Sequence, residues 1–227
     1  MEPGCLADGA RLGFNVLGFA NNHTMDYSYD GSEETLHFLR WEGIAAVGAG
    51  QNLFEATRPA IVETPGGRAA VFAVCATFED AARVGSQTES MSGRISLPCA
   101  CRLSTAWRGR AHTGMNALRL ALRSQGFLPP LPEGTMDFAP ARLEEVENEA
   151  QESCFSRATC QAVVILVHSH EIKAVGREEP DYFLKDFARQ CIDASASAVV
   201  GSSTHQVQGI EIYNSYSIFY YLGNFFF

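Results

Sequence analysis

Residues 162–171 read AVVILVHSHE, and this stretch decides the fold class. A continuous run of six apolar residues is typical of a central strand in a parallel sheet, which is covered on both faces. The run stops abruptly at the polar residues His168, Ser169, His170 and Glu171. In α/β proteins, ligands bind outside the carboxyl ends of such strands. The stretch therefore predicts an α/β fold with a functional site where this strand ends.

Two further apolar runs end in polar clusters that carry a histidine. Residues 16–19 lead towards Asn22 and His23, and residues 198–200 lead into a segment that ends at His205. Four of the six histidines therefore fall at the ends of predicted strands. Imidazole, amide and carboxylate groups are suitable ligands of Zn²⁺, Mn²⁺ or Fe²⁺. The spacing alone leaves two interpretations open, a shared metal site or histidines that cap strands and hydrogen-bond to loops.

Other chemistries have weaker support in the sequence. No Gly-x-Ser-x-Gly elbow, no phosphate-binding Gly-x-x-x-x-Gly-Lys-Ser/Thr loop and no His-Glu-x-x-His motif is present. A nucleophile at Cys75 or Cys191 would have no base positioned beside it. The two remaining histidines, His37 and His112, are predicted to be surface residues.

The rest of the pattern is an alternation of helices and strands, which predicts one α/β domain over residues 1–227. The weak pattern between about 87 and 136 predicts an insertion. The predicted strands cover 12–19, 45–49, 59–64, 69–77, 162–167, 198–200, 209–213 and 217–221. The predicted helices cover 32–42, 115–124, 140–152 and 181–194.

Composition limits the classes of partner. The chain has 227 residues, of which 46% are hydrophobic, so it can bury one sizeable core. A net charge of −9 and a pI near 5.1 argue against nucleic acid as a partner. No leader and no apolar run of about 18 residues is visible, so we expect no membrane segment in this chain, and its localisation is left open. Seven scattered cysteines favour free thiols in a reducing compartment.

Five blocks of the sequence occur in a fixed order. They are GFNVLGFANNHTMDY at 13–27, GIAAVGAGQNL at 43–53, HSHE at 168–171, HQVQGIEIY at 205–213 and IFYYLGNF at 218–225. Together these blocks resemble the CapA family, named for the synthesis of poly-γ-glutamate capsules. The family's fold is similar to that of the calcineurin-like metallophosphoesterases.

The resemblance implies a set of site residues. Asn22, His168 and His205 would be metal ligands, and His23 would be the catalytic imidazole. Asp26, His170 and Glu171 would support them. The implied cofactor is one or more divalent ions, Mn, Zn or Fe, that lower the pKa of bound water while a histidine protonates the leaving group. The implied substrate is a phosphoester or a γ-glutamyl amide, in an anionic polymer or a phosphorylated small molecule.

The chain departs from the family pattern in two places. Relatives have an aspartate-bearing first strand that would lie before anything in this sequence. Ser202 stands where relatives carry a ligand histidine, and a hydroxyl is a poor substitute for imidazole. We therefore predict a metallophosphatase-like αββα sandwich that lacks its first strand and has lost part of its metal site. The alternative is a non-catalytic family member that binds a polymer or a protein.

Overall fold

The computed structural model describes residues 3–50, 56, 58–76, 160–169 and 179–224. The elements in chain order are α1 (Pro3–Arg11), β1 (Val16–Gly18), α2 (Ser28–Trp41), β2 (Ala45–Val47), β3 (Ala60–Thr64), β4 (Gly67–Cys75), β5 (Ala162–His168), α3 (Tyr182–Asp193), β6 (Ala198–Ser202), β7 (Ile210–Tyr213) and β8 (Tyr216–Phe219). The predicted insertion at 87–136 and the predicted helices at 115–124 and 140–152 lie outside the described residues.

The larger sheet has six strands in the order β3-β4-β5-β6-β8-β7. Its central pairs, β4–β5, β5–β6 and β6–β8, are parallel, and the outermost strands close antiparallel hairpins. The stretch that predicted a central strand forms β5, which is paired on both edges. The α/β prediction is therefore confirmed.

The side chains of β5 alternate between two hydrophobic clusters, because successive residues of a strand point to opposite faces. Val163, Ile165 and Val167 are buried in the larger cluster, which α3 covers. Val164 and Leu166 pack into a second cluster on the other face. A strand that is covered on both faces needs apolar residues at every position, which explains its uninterrupted apolar run.

Helix α3 covers the first face of the large sheet. It begins after Asp181, whose Oδ1 accepts a hydrogen bond of 2.8 Å from the backbone N–H of Phe183 and so caps the helix. One stripe of the helix is buried, and it consists of Phe183, Leu184, Phe187, Ala188, Cys191 and Ile192. The stripe recurs at helical spacing, so burial of this face holds the helix on the sheet.

A second, two-stranded sheet covers the other face. Strands β1 and β2 are parallel partners, and Val16 and Val47 pack against residues of β3, β4 and β5. Residues on the opposite side of this small sheet pack against α1 and α2, through Leu6 and Leu39. The described elements are therefore stacked in the order helix, sheet, sheet, helix.

Two details at the amino-terminal end differ from the sequence prediction. The strand predicted at 12–19 is shorter and spans only Val16–Gly18, and α1 precedes it unpredicted. In the described part of the chain β1 pairs with β2 alone, and the expected lack of a first strand stays a prediction. His37 is exposed on α2 as expected, whereas His112 lies outside the described residues.

Candidate functional site

The candidate site lies where the parallel strands of the large sheet end. Cys75, His168 and Ser202 are in register across β4, β5 and β6. The loop that follows β1 reaches this point because the small sheet packs on the same face as His168. Asn22 of that loop places its Oδ1 2.7 Å from His168 Nε2, although the two residues are 146 positions apart. The structure therefore brings together two of the predicted metal ligands.

The loop from residue 19 to 26 is held in place by its own polar groups. The Thr24 hydroxyl donates to the carbonyl of Phe19 at 2.5 Å, and the backbone N–H of His23 donates to Asn21 Oδ1 at 2.9 Å. The buried hydroxyl of Ser32, on α2, donates to the carbonyl of Thr24. These bonds tie the loop to the end of β1 and to α2, so Asn22 and His23 project from a fixed turn.

His23 and Asp26 form a dyad within this loop. His23 Nδ1 lies 2.8 Å from Asp26 Oδ2, and both side chains are about half exposed or more. An ionised carboxylate only accepts hydrogen bonds, so Nδ1 of His23 carries a proton. In the neutral ring Nε2 then has a lone pair, and Asn22 Nδ2 lies 3.4 Å from that atom. Asp26 therefore orients His23 and selects its tautomer.

The same reasoning extends the network to β6. Ser202 Oγ lies 3.3 Å from His168 Nδ1, which is the ring nitrogen that does not face Asn22. If Asn22 Nδ2 donates to His23, Asn22 Oδ1 must accept from His168 Nε2–H, and His168 Nδ1 must accept from the Ser202 hydroxyl. The five side chains then form one chain of hydrogen bonds in a single direction, from Ser202 through His168, Asn22 and His23 to Asp26.

His205 lies on the loop after β6, and the structure gives it a partner that the sequence did not suggest. His205 Nδ1 lies 2.7 Å from Oδ1 of Asn224. His205 and Ser203 both have positive φ angles, 59° and 113°, which side-chain-bearing residues adopt only where the surroundings hold them. Asn224 belongs to the closing IFYYLGNF block, but nothing in its spacing indicated a contact with His205. The other two predicted supporting residues, His170 and Glu171, lie outside the described residues.

The donor atoms fit a divalent cation only in part. Asn22 Oδ1 and His168 Nε2 are ligand types that divalent transition metals accept. With bonds of about 2.1 Å, neighbouring ligands of an octahedral ion lie roughly 3 Å apart, so these two atoms need to separate only slightly. Within the described ranges, however, no group of three His, Cys, Asp or Glu side chains could hold a metal ion. The described residues therefore supply two converging ligands and not a complete site.

A second polar cluster, which the sequence did not reveal, joins α3 to the closing hairpin. Glu211 Oε1 accepts hydrogen bonds from Arg189 Nε at 2.9 Å and Nη2 at 2.8 Å, and the Tyr220 hydroxyl donates to Glu211 Oε2. Burial raises the pKa of Glu211, but the hydrogen bonds from Tyr220 and Arg189, with the positive charges of Arg189 and Lys185, outweigh burial and lower the pKa below its ordinary value. The hydrogen bond to Glu211 raises the pKa of Arg189, while burial and then that carboxylate raise the pKa of Tyr220.

The fold and the site define a layered α/β protein with polar side chains gathered at the carboxyl ends of its parallel strands. The whole chain, residues 1–227, matches the family described as bacterial capsule synthesis protein PGA_cap. The chain belongs to this family, which confirms the resemblance seen in its sequence blocks.

Curated relatives agree with this assignment. Protein y4sH of Sinorhizobium fredii, described as uncharacterized, is 31% identical over 95% of this chain and 50% of its own length. The PGA biosynthesis protein CapA of Bacillus subtilis is 27% identical over 95% of this chain and 43% of its own. A probable polyglutamine synthesis accessory protein of Mycobacterium tuberculosis is 25% identical over 92% and 44%. The chain spans about half the length of the curated relatives it matches. Of the helices described, none has the length and apolarity needed to cross a membrane.

Proposed function

We propose that this chain acts in capsule or poly-γ-glutamate synthesis as a metal-dependent hydrolase, which cleaves a phosphoester or a γ-glutamyl amide. The substrate would be an anionic polymer or a phosphorylated small molecule. Membership of the capsule synthesis family supports the pathway class. The helix–sheet–sheet–helix order of the described elements supports a fold of the metallophosphatase type.

One observation carries the proposed site. Asn22, in the loop after β1, and His168, at the end of β5, are 146 positions apart, yet their Oδ1 and Nε2 atoms lie 2.7 Å from each other. This short contact supports a shared cation site, because an amide oxygen and an imidazole nitrogen so close together could both face one ion. The loop bonds to Phe19 and Ser32 fix this arrangement before any ligand arrives. Asn22 and His168 would hold the cation, and His205 or residues outside the described ranges would complete its ligands.

A bound divalent cation would polarise the substrate oxygen and lower the pKa of nearby water. The protein itself supplies proton transfer. Asp26 keeps the Nδ1 proton of His23 in place, so Nε2 of His23 can take up a proton and later give it to the leaving group. The negative charge of Asp26 also stabilises the imidazolium form of His23 while it holds that proton.

The test is metal content and hydrolysis measured on the full chain. Elemental analysis of the purified wild type is compared with Asn22→Ala and His168→Ala, and with His37→Ala as a matched control on exposed α2. We expect near-stoichiometric metal in the wild type and in His37→Ala, and loss in the other two variants. His23→Ala should keep the metal and lose hydrolysis of phosphoesters or γ-glutamyl amides, typically by 10²–10⁴-fold for a positioned acid–base group.

Two results would contradict the proposal. Equal metal content in wild type, Asn22→Ala and His168→Ala, with all three folded by circular dichroism, would place the metal elsewhere. A folded wild type that binds no divalent metal and cleaves no substrate of either class would leave the non-catalytic binding role as the remaining interpretation.

A further inference from the structure

Ser202 contacts two polar atoms at the carboxyl end of β6. Its Oγ lies 3.3 Å from Nδ1 of His168 and 3.4 Å from the backbone carbonyl of Val167. The in-register pairing of β5 with β6 sets both distances, because Ser202 is the partner of His168 across the ladder. We propose that Ser202 is a positioning residue that holds Nδ1 of His168 in either tautomer and so lets its Nε2 alternate between Asn22 and a cation. The inference rests on the proposed function in that His168 is taken as a cation ligand.

A serine hydroxyl has one proton, so Ser202 can make these contacts in two arrangements. In the first, the hydroxyl donates to His168 Nδ1, and the ring carries its proton on Nε2, which donates to Asn22 Oδ1. In the second, the hydroxyl donates to the Val167 carbonyl, and Oγ accepts from His168 Nδ1–H. Nε2 then has a lone pair. Rotation of one hydroxyl thus accompanies the change between the two tautomers of the same ring.

The two arrangements correspond to two states of the site. Without a cation, the 2.7 Å contact with Asn22 Oδ1 needs a proton on Nε2 of His168, since an amide oxygen only accepts. A cation needs the lone pair of Nε2, so the proton must reside on Nδ1. One proton leaves Nε2 for solvent, one is taken up at Nδ1, and the imidazole stays neutral. Ser202 supplies the acceptor that this second tautomer requires.

The position of Ser202 shows why it acts through His168. It contacts the ring nitrogen that does not face Asn22, so the serine is not placed to replace that imidazole as a ligand. Partners that hold the second nitrogen of a ligand histidine fix the ring and its tautomer, and their loss typically costs 10–100-fold in metal affinity.

The experiment uses the full chain with ¹⁵N-labelled histidine at pH 8, where an ordinary imidazole is neutral. His168 signals are assigned with His168→Gln. The variants are Ser202→Ala, Ser202→Thr and the control Ser203→Ala, whose hydroxyl is buried with no hydrogen-bond partner in the part of the chain that the structure describes. Zn²⁺ is the probe, and its Kd and the ¹⁵N shifts of His168 are measured together.

In the wild type we expect a proton on Nε2 of His168 before Zn²⁺ is added and on Nδ1 afterwards. Ser202→Ala should weaken Zn²⁺ binding about 10–100-fold. Ser202→Thr, which keeps the hydroxyl, should bind within about threefold of the wild type, as should Ser203→Ala. A Zn²⁺ affinity of Ser202→Ala equal to that of the wild type would overturn the inference, and so would equal weakening in Ser202→Ala and Ser202→Thr.

Failure of the proposed function gives a different pattern. If the wild type binds no Zn²⁺, the proposed cation site is refuted, but the metal-free spectra still test the role of Ser202. A change in the Nδ1 signal of His168 on Ser202→Ala, absent in Ser203→Ala, would support the positioning role. An unchanged signal would overturn it.

Discussion

Replacing Glu211 tests the cluster that joins α3 to the closing hairpin. In Glu211→Gln the one remaining side-chain oxygen can still accept from the Tyr220 hydroxyl, while the negative charge and the oxygen that accepts from Arg189 are lost. The Glu211 side chain is 25% exposed and the Arg189 side chain 43% exposed, so solvent screens the ion pair. Exposed pairs contribute about 0.2–1 kcal/mol and hydrogen bonds to charged groups about 1.5–3 kcal/mol. We expect Glu211→Gln to lower the free energy of unfolding by roughly 1 kcal/mol at pH 7.

Glu211→Ala should cost more, because it removes the only hydrogen-bond partner described for the Tyr220 hydroxyl. Tyr220 is 3% exposed, and a buried donor without an acceptor costs about 1–3 kcal/mol beyond the lost pair. We expect a total of roughly 2–4 kcal/mol. Tyr220→Phe removes the donor along with its need for a partner, so Glu211→Ala combined with Tyr220→Phe should cost clearly less than the sum of the two single changes.

The pH dependence gives an independent measurement. The pKa of Glu211 in the folded protein lies below its ordinary value. Between the folded and the unfolded pKa, the unfolded chain therefore binds more protons than the folded one. The stability that Glu211 contributes is therefore present above the unfolded pKa of about 4.3 and is lost as pH falls through the folded pKa. In urea unfolding, the wild type should have a higher free energy of unfolding than Glu211→Gln at pH 7, and this difference should narrow below about pH 4.3. Equal free energies at pH 7, or a difference that stays constant down to pH 3, would refute the reasoning.

Three further changes test the packing and the site. Gly48→Ala should destabilise by about 1–3 kcal/mol more than Gly43→Ala in urea unfolding. Both glycines have positive φ, but a Cβ at Gly48 would lie 2.9 Å from that of Ala73 in β4, whereas Gly43 has open space. Equal costs would contradict the close approach of the two sheets at Gly48. Phe187→Ala should lower the free energy of unfolding by about 3–5 kcal/mol, because Phe187 on α3 is fully buried against the sheet. Tyr182 is 62% exposed on the same helix, so Tyr182→Ala should cost far less. Similar losses in the two variants would show that the buried stripe does not hold the helix. Asp26→Ala should shift the tautomer ratio of His23 away from Nδ1–H by roughly two- to fivefold, since this exposed pair contributes about 0.5–1 kcal/mol. The ratio is measured from ¹⁵N spectra. Spectra that do not change would show that Asp26 does not orient His23.

The strongest sequence predictions were those in which one local pattern had one structural cause. The apolar run before His168 required a strand covered on both faces, and β5 is such a strand. The Asn214-Ser215 pair predicted the last hairpin, and both residues have the positive φ angles, 48° and 69°, that a tight two-residue turn needs. Helix α3 was predicted to within about a residue at each end because its apolar stripe and its Asp181 cap agree.

The weaker predictions failed where structure depends on distant residues. The run from Leu12 to Phe19 contains apolar residues throughout, but only three of them pair with β2, since the chain before Val16 turns out of α1. The contact of His205 with Asn224 and the Arg189–Glu211–Tyr220 cluster join residues of different elements. No periodicity within one element records such contacts, so single-sequence reasoning could not find them.

Ser202 departs from the family pattern in the sequence, and the fold shows which atoms its side chain contacts. Comparison with the family pattern predicted a lost ligand at this position. The register of β5 and β6 instead places the hydroxyl against Nδ1 of His168, where it contacts the histidine that faces Asn22. A shift of one residue in that register would point Ser202 to the opposite face of the sheet, towards the cluster under α3. Strand pairing therefore sets which atoms the Ser202 side chain contacts, and the lost ligand at position 202 stays a prediction.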